Sequence, residues 1–115
     1  MFNEPAVFVD IETNGGNGPS GRIIEVGLIR VESGEIVREY KSLVNPGGSI
    51  PVWIERLTGI KNNDLVHAPY FEDIASELRD ILDGAIFVAH NVRFDYSFFR
   101  SHFGALGHEF KPKLS

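Results

Sequence analysis

Cysteine is absent from the 115 residues, which excludes both a disulfide framework and any thiolate metal site. A bound metal would rest on Asp, Glu or His, so hard, oxygen-loving cations are the natural candidates. No apolar run approaches the ~20 residues that a membrane-spanning helix needs, and no basic segment followed by an apolar one opens the chain. A soluble, cytoplasmic protein with no membrane partner is expected. An excess of positive charge is missing too: 16 acids face 11 bases for a formal charge of −5. That balance argues against a protein that wraps nucleic acid by bulk electrostatics. Internal repeats, low-complexity tracts and interdomain linkers are also lacking, so residues 1–115 read as one domain. What remains is ordinary globular material, 43% hydrophobic and 23% charged, with nine Phe and one Trp as bulky core candidates. The charge is uneven: residues 89–115 hold two acids (Asp95, Glu109) against four bases (Arg93, Arg100, Lys111, Lys113). A solvated helix face and a phosphate track both explain that excess.

The spacing of apolar residues predicts the elements. Ala6 to Ile11 is an apolar, β-branched run that enters the turn cluster Asn14 to Gly21, as a buried central strand does. Residues 22–31 carry Ile24, Val26 and Leu28 on alternate positions; Ser33-Gly34-Glu35 then makes a hairpin into a third strand over 36–44. A short helix with Trp53, Ile54 and Leu57 follows, closed by Thr58-Gly59. Phe71, Ile74, Ala75, Leu78, Ile81 and Leu82 recur at helical spacing and stop at Asp83-Gly84. Ala85 to Ala89 is a second continuous apolar strand, and Phe94, Phe98, Phe99 and Phe103 mark a last helix. A helix between the meander and the fourth strand implies that strand four lies parallel to strand one through a right-handed crossover. The expected fold is α/β: a mixed sheet of an antiparallel three-strand meander plus a parallel fourth strand, with flanking helices.

Asp10 and Glu12 end the first strand. Strand side chains alternate, so residues two apart project from the same face, and two like charges there repel unless a cation sits between them. Ligands of open α/β sheets bind at such strand ends. A pair of solvated charges is the competing reading. His90-Asn91-Val92-Arg93-Phe94-Asp95 follows the second apolar strand, whose end would lie beside Asp10 and Glu12, with Asp95 on the first turn of the next helix. Three carboxylates converging there suit one or two divalent cations. The alternative for this segment is that Asn91 caps the helix and Asp95 favours its positive end.

These residues also carry a family resemblance. Phe8-Val9-Asp10-Ile11-Glu12-Thr13-Asn14-Gly15 resembles the first motif of the DEDD 3′→5′ exonucleases, and Val88 to Phe98 resembles the second. Arg56-Leu57-Thr58-Gly59-Ile60 is similar to a segment of the bacterial DNA polymerase III epsilon, or DnaQ-like, group. The resemblance runs from residue 6 to the end and implies a ribonuclease-H-like fold with two-metal phosphodiester hydrolysis at nucleic-acid 3′ ends, serving DNA proofreading or repair. It implies Asp10, Glu12 and Asp95 as catalytic metal ligands for Mg2+ or Mn2+. Thr13, Asn14, Gly15, Gly59, Ile60, His90, Asn91 and Phe94 become substrate-side candidates, with a core role equally open to Phe94. The implied substrate is a single-stranded 3′ end, DNA in preference to RNA, and the implied partners are a DNA polymerase subunit or a fused GIY-YIG endonuclease domain.

The resemblance also has a gap. The common subclass carries a general-base His five residues before a fourth acid on a late helix. After Asp95 the only acid is Glu109 and the only histidines are His102 and His108, none at that spacing. His90 and Asp95 do have the spacing, but they belong to the second motif. Lys111 to Ser115 resembles the lead-in to the next family helix, so the expectation is an exonuclease domain that lacks its third-motif helix. Such a chain would expose apolar surface on one sheet face and self-associate. A metal- and 3′-end-binding module without cleavage, and a pure interaction domain, are the alternatives to an enzyme.

Overall fold

The computed structural model describes residues 3–115. Its elements run β1 (Ala6–Thr13), β2 (Ile23–Glu32), β3 (Glu35–Leu43), α1 (Val52–Thr58), α2 (Asn62–Leu65), α3 (Phe71–Leu82), β4 (Ile86–Val88) and α4 (Val92–Ala105). The sheet order is β3-β2-β1-β4, antiparallel through the first three and parallel between β1 and β4. The expected mixed sheet with a parallel fourth strand is therefore what forms. Ser33 and Gly34 both take positive φ, 52° and 78°. That backbone joins β2 to β3 with a twist matching the strands, which is why so short a connection suffices.

One face of the sheet supplies Val7 and Val9 from β1, Val26 and Leu28 from β2 and Phe87 from β4 to the main core. Against them pack Leu78 and Ile81 of α3 and Phe98, Phe99 and Phe103 of α4. Aromatic rings meet edge-to-face there, Phe87 with Phe99 at 5.3 Å and Phe103 with Phe110 at 5.2 Å. A smaller cluster of Ile24, Ile50, Ile54, Ile60 and Leu65 seats α1 and α2. Gly59 closes α1 in the left-handed region, its N–H donating to the Glu55 carbonyl.

The structure departs from expectation in four places. Trp53 is not core: it is 59% exposed, because Ile54 is the α1 residue that points into the small cluster. Phe8 and Phe94 are also partly exposed, and Phe2 lies outside the described residues. The one-turn helix α2 was not signalled, being too short for periodicity. Residues 113–115 lie alongside β4 as extended backbone. The Phe87 N–H donates to the Lys113 carbonyl at 2.8 Å and the Ser115 N–H to the Phe87 carbonyl at 2.9 Å, a parallel pairing that apolar patterning over three residues could not announce.

Candidate active site

Alternation along β1 sends Val7 and Val9 into the core and leaves Asp10 and Glu12 exposed on the other face. Their cross-strand neighbours on β2 define the surroundings. Asp10 faces Gly27, which offers no side chain to cover it, and Glu12 faces Glu25. Like charges opposite each other in a sheet are unfavourable, and the Lys41 ammonium 3.9 Å from Glu25 offsets part of that. The register shifts between Glu12 and Thr13, which bends β1 into the glycine-rich loop.

That loop is tied at several points. The Asn14 N–H donates to the Arg22 carbonyl at 3.0 Å, and the Arg22 N–H donates to Asn14 Oδ1 at 2.8 Å. Thr13 Oγ1 accepts from the Gly15 N–H at 3.3 Å. Gly18 sits so close to Ser97 of α4 that a Cβ would overlap its carbonyl. The loop thus bridges the end of β1 to the helix that carries Asp95.

Asp95 is buried on the first turn of α4, its N–H donating to the Asn91 carbonyl at 3.0 Å. Burial first, then the nearby Asp10 charge, push its carboxyl up to about 6, against the opposing pull of its own backbone N–H and of His90. Glu12 is raised as well, by burial first and then by Asp10 and Glu25. Asp10 is the charge common to both perturbed acids, so the three form one electrostatic group. Perturbed acids of this kind recur at functional sites and also in structural charge clusters. Among the described residues, no three His, Asp or Glu side chains stand close enough together to hold a metal ion as they are placed.

The other candidates fall into two groups. Thr13, Asn14 and Gly15 line the loop beside the acids, His90 is exposed and close enough to influence Asp95, and Phe94 is 39% exposed with its ring edge-on to Phe98 at 5.0 Å. Asn91 stands at the N-cap position of α4, but its side chain makes no capping bond; with φ −116° and ψ 76° it is not set as a regular cap. Gly59 is exposed, whereas Ile60 is 7% exposed and packed in the small cluster. The Ile60 side chain is therefore committed to the core rather than presented to a ligand. Glu25, opposite Glu12, had no sequence signal beyond its place on an alternating strand.

Residues 7–113 match the family model of the RNase T exonucleases. The chain belongs to the RNase T exonuclease family. Within that family it is 40% identical over 99 residues to the 3′-5′ exonuclease DinG of Bacillus subtilis, covering 85% of this chain and 11% of that protein. To the DinG of Staphylococcus aureus (strain USA300) it is 38% identical over 105 residues, 91% of this chain and 12% of that protein. The chain thus spans about an eighth of the length of these relatives. The fold matches E. coli Exonuclease I in complex with an oligonucleotide, with a TM-score of 0.85 and 16% identity over 99% of this chain and 28% of that one. No helix among the described residues is long and apolar enough to cross a membrane. An RNase T exonuclease domain is thus what the DEDD resemblance leads to, while the epsilon likeness is not specific to that subgroup.

Proposed function

We propose that this domain removes nucleotides from the 3′ end of single-stranded DNA by metal-dependent hydrolysis, with Asp10, Glu12 and Asp95 as its acidic centre. The observation that supports this most is the electrostatic coupling of Asp10 to both Glu12 and Asp95 at the C-terminal end of β1. An all-carboxylate donor set suits Mg2+ or Mn2+, and burial together with the Asp10 charge raises Asp95, a cost that a bound cation would offset. Asp10, Glu12 and Asp95 would hold the divalent ions, which when bound supply an acidified water and neutralise charge on the phosphodiester.

The protein's own contribution is placement. The Asn14–Arg22 clasp fixes the loop after Glu12, so Thr13 to Gly15 present backbone beside the acids, and Phe94 offers an apolar edge at the start of α4. No His at the five-residue spacing before a fourth acid is found after Asp95, so a general base would come from outside these residues. Loss of such a base costs about 10²- to 10⁴-fold, and residues 1–115 alone are expected to cut slowly or only to bind. Proofreading or repair in the cytoplasm, beside a polymerase subunit or a fused endonuclease domain, is the setting such an activity serves.

Incubation of a 3′-labelled single-stranded oligonucleotide with Mg2+ or Mn2+, beside an Asp10→Asn control, tests this reading. Shortening from the 3′ end that the control loses is expected. Metal-independent cutting, or neither cutting nor divalent-dependent binding of the strand, would refute it.

A further inference from the structure

Among the described residues two polar side chains are buried, Asp95 and His102, and α4 carries both. They stand about two helical turns apart and so share one stripe of the helix, with Phe98 between them. Asp95 belongs to the acidic centre. His102 acts elsewhere: its Nε2 accepts the Ile23 N–H at 3.2 Å, and Ile23 opens β2. The ladder is irregular there, because the register shifts between Glu12 and Thr13, and Thr13 is the partner of Ile23. A bulge leaves ladder groups without their usual partners, and His102 supplies the acceptor that this N–H takes. The residue before Ile23 carries the contact onward. Arg22 is joined to Asn14 twice, its carbonyl accepting the Asn14 N–H at 3.0 Å and its own N–H donating to Asn14 Oδ1 at 2.8 Å. Asn14 is two residues beyond Glu12.

One end of α4 is thus tied by hydrogen bonds to the segment that follows Glu12, and the other end holds Asp95. Apolar packing is non-directional and lets packed helices slide by small shears, whereas a hydrogen bond to a single N–H admits one register. A slide of α4 would carry Asp95 with it, and metal ligands tolerate errors of only about 0.2 Å. Packing supports the same join. A Cβ on Gly21 would stand 2.9 Å from the Phe98 ring, and the His102 ring meets Phe71 edge-on at 5.0 Å. We propose that His102 is a positioning residue of the acidic centre, which sets the separation of Asp95 from Glu12 by holding the start of β2 to α4. This rests on the exonuclease reading above, in which those acids hold the divalent ions, and it extends the centre to a residue that touches none of them.

Mn2+ affinity of the whole chain, read from the paramagnetic resonance of the free ion, tests this beside amide exchange of the metal-free protein. Three variants are compared: His102→Leu, which offers no acceptor; His102→Gln, whose amide oxygen can take the Ile23 N–H; and Ile81→Val, which loosens the core from α3 without touching this join. His102→Leu is expected to weaken Mn2+ by about 2- to 30-fold and to speed exchange at Asn14, Arg22 and Ile23. His102→Gln should recover both, and Ile81→Val should melt lower with Mn2+ affinity unchanged. Should His102→Leu fold poorly, Asn14→Ala breaks the same join at an exposed bond and is expected to weaken Mn2+ to a like extent. Unchanged Mn2+ affinity in His102→Leu, or in Asn14→Ala where that variant decides, would mean that His102 serves the fold alone. A loss in Ile81→Val as large as in His102→Leu would mean the same, and either result leaves the exonuclease reading standing. Absence of Mn2+ binding by the unaltered chain would overturn both.

Discussion

At the scale of single residues, the acidic centre is a place where stability has been given up. Asp95 has its carboxyl raised from 3.8 to about 6 by burial and Asp10, so at neutral pH the folded state holds an ionised group that prefers the unfolded state. Raised acid pKa values stabilise only as pH falls: the contribution is unfavourable above 6 and vanishes by about 3.8. Asp95→Asn is therefore expected to stabilise the metal-free protein by ~1–3 kcal/mol at pH 7. Urea unfolding should show the gain shrinking between pH 6 and 4, and added Mn2+ should stabilise the wild type alone. A wild type already as stable as Asp95→Asn at pH 7 would contradict this account. His102 works in the opposite sense. Burial, then the Arg22 charge, push its imidazole from 6.5 down to about 4 against the opposing pull of the Phe98 backbone, its Nε2 accepting the Ile23 N–H at 3.2 Å. Its stabilisation is complete above 6.5 and is lost as pH falls toward 4. Replacement by Gln should flatten the acid limb of the stability profile, and Asp95→Asn should steepen it. The shared strand face of Asp10 and Glu12 was legible in the sequence, because a period of two needs only the strand, and so was the place of Asp95 on the first turn of α4, because a helix start follows the fourth strand. The sequence did not disclose His102, whose burial depends on α4 meeting β2 across 79 positions.

At the scale of elements, the loop between β1 and β2 joins the two halves of the site. Gly18 touches Ser97, and Gly21 lies against the Gly15 and Asn17 carbonyls and the Phe98 ring. A Cβ at either position would have to move backbone rather than a flexible side-chain tip. Gly18→Ala should thus cost on the order of 1–3 kcal/mol of stability and separate β1 from α4, which a thermal melt and a weaker Mn2+ affinity would register together. A variant that melts lower but binds Mn2+ unchanged would show that the loop serves the fold alone. The turn residues Asn14 to Gly21 marked the loop in the sequence. Its packing against α4 could not be read there, since it depends on how close two distant backbones come. The long helices α3 and α4 were legible for the opposite reason: each buries a continuous stripe, and a stripe repeats.

At the scale of the molecule, the sheet has one covered face and, among the described residues, one largely open. Phe8 and Ile29 pair across β1 and β2 on the face that carries Asp10, 44% and 37% exposed, and Ile36 and Val37 of β3 are 60% and 50% exposed. The outer edge of the sheet is better guarded, because β3 carries Glu35, Arg38, Glu39 and Lys41, and charges along an edge discourage strand-to-strand growth. Association through the face is thus favoured over association through the edge, and it would close as a discrete dimer instead of an open fibre. Ile29 lies opposite Glu39, so Ile29→Lys would interrupt the apolar face while gaining a cross-strand partner of opposite charge. Sedimentation velocity of residues 1–115 should show a weight-average coefficient that rises with concentration in the wild type and stays monomeric in Ile29→Lys, with melting temperatures that remain close at low concentration. A wild type that stays monomeric at every concentration would mean that the charges bordering the face, Glu25, Glu39 and Lys41, outweigh its apolar centre.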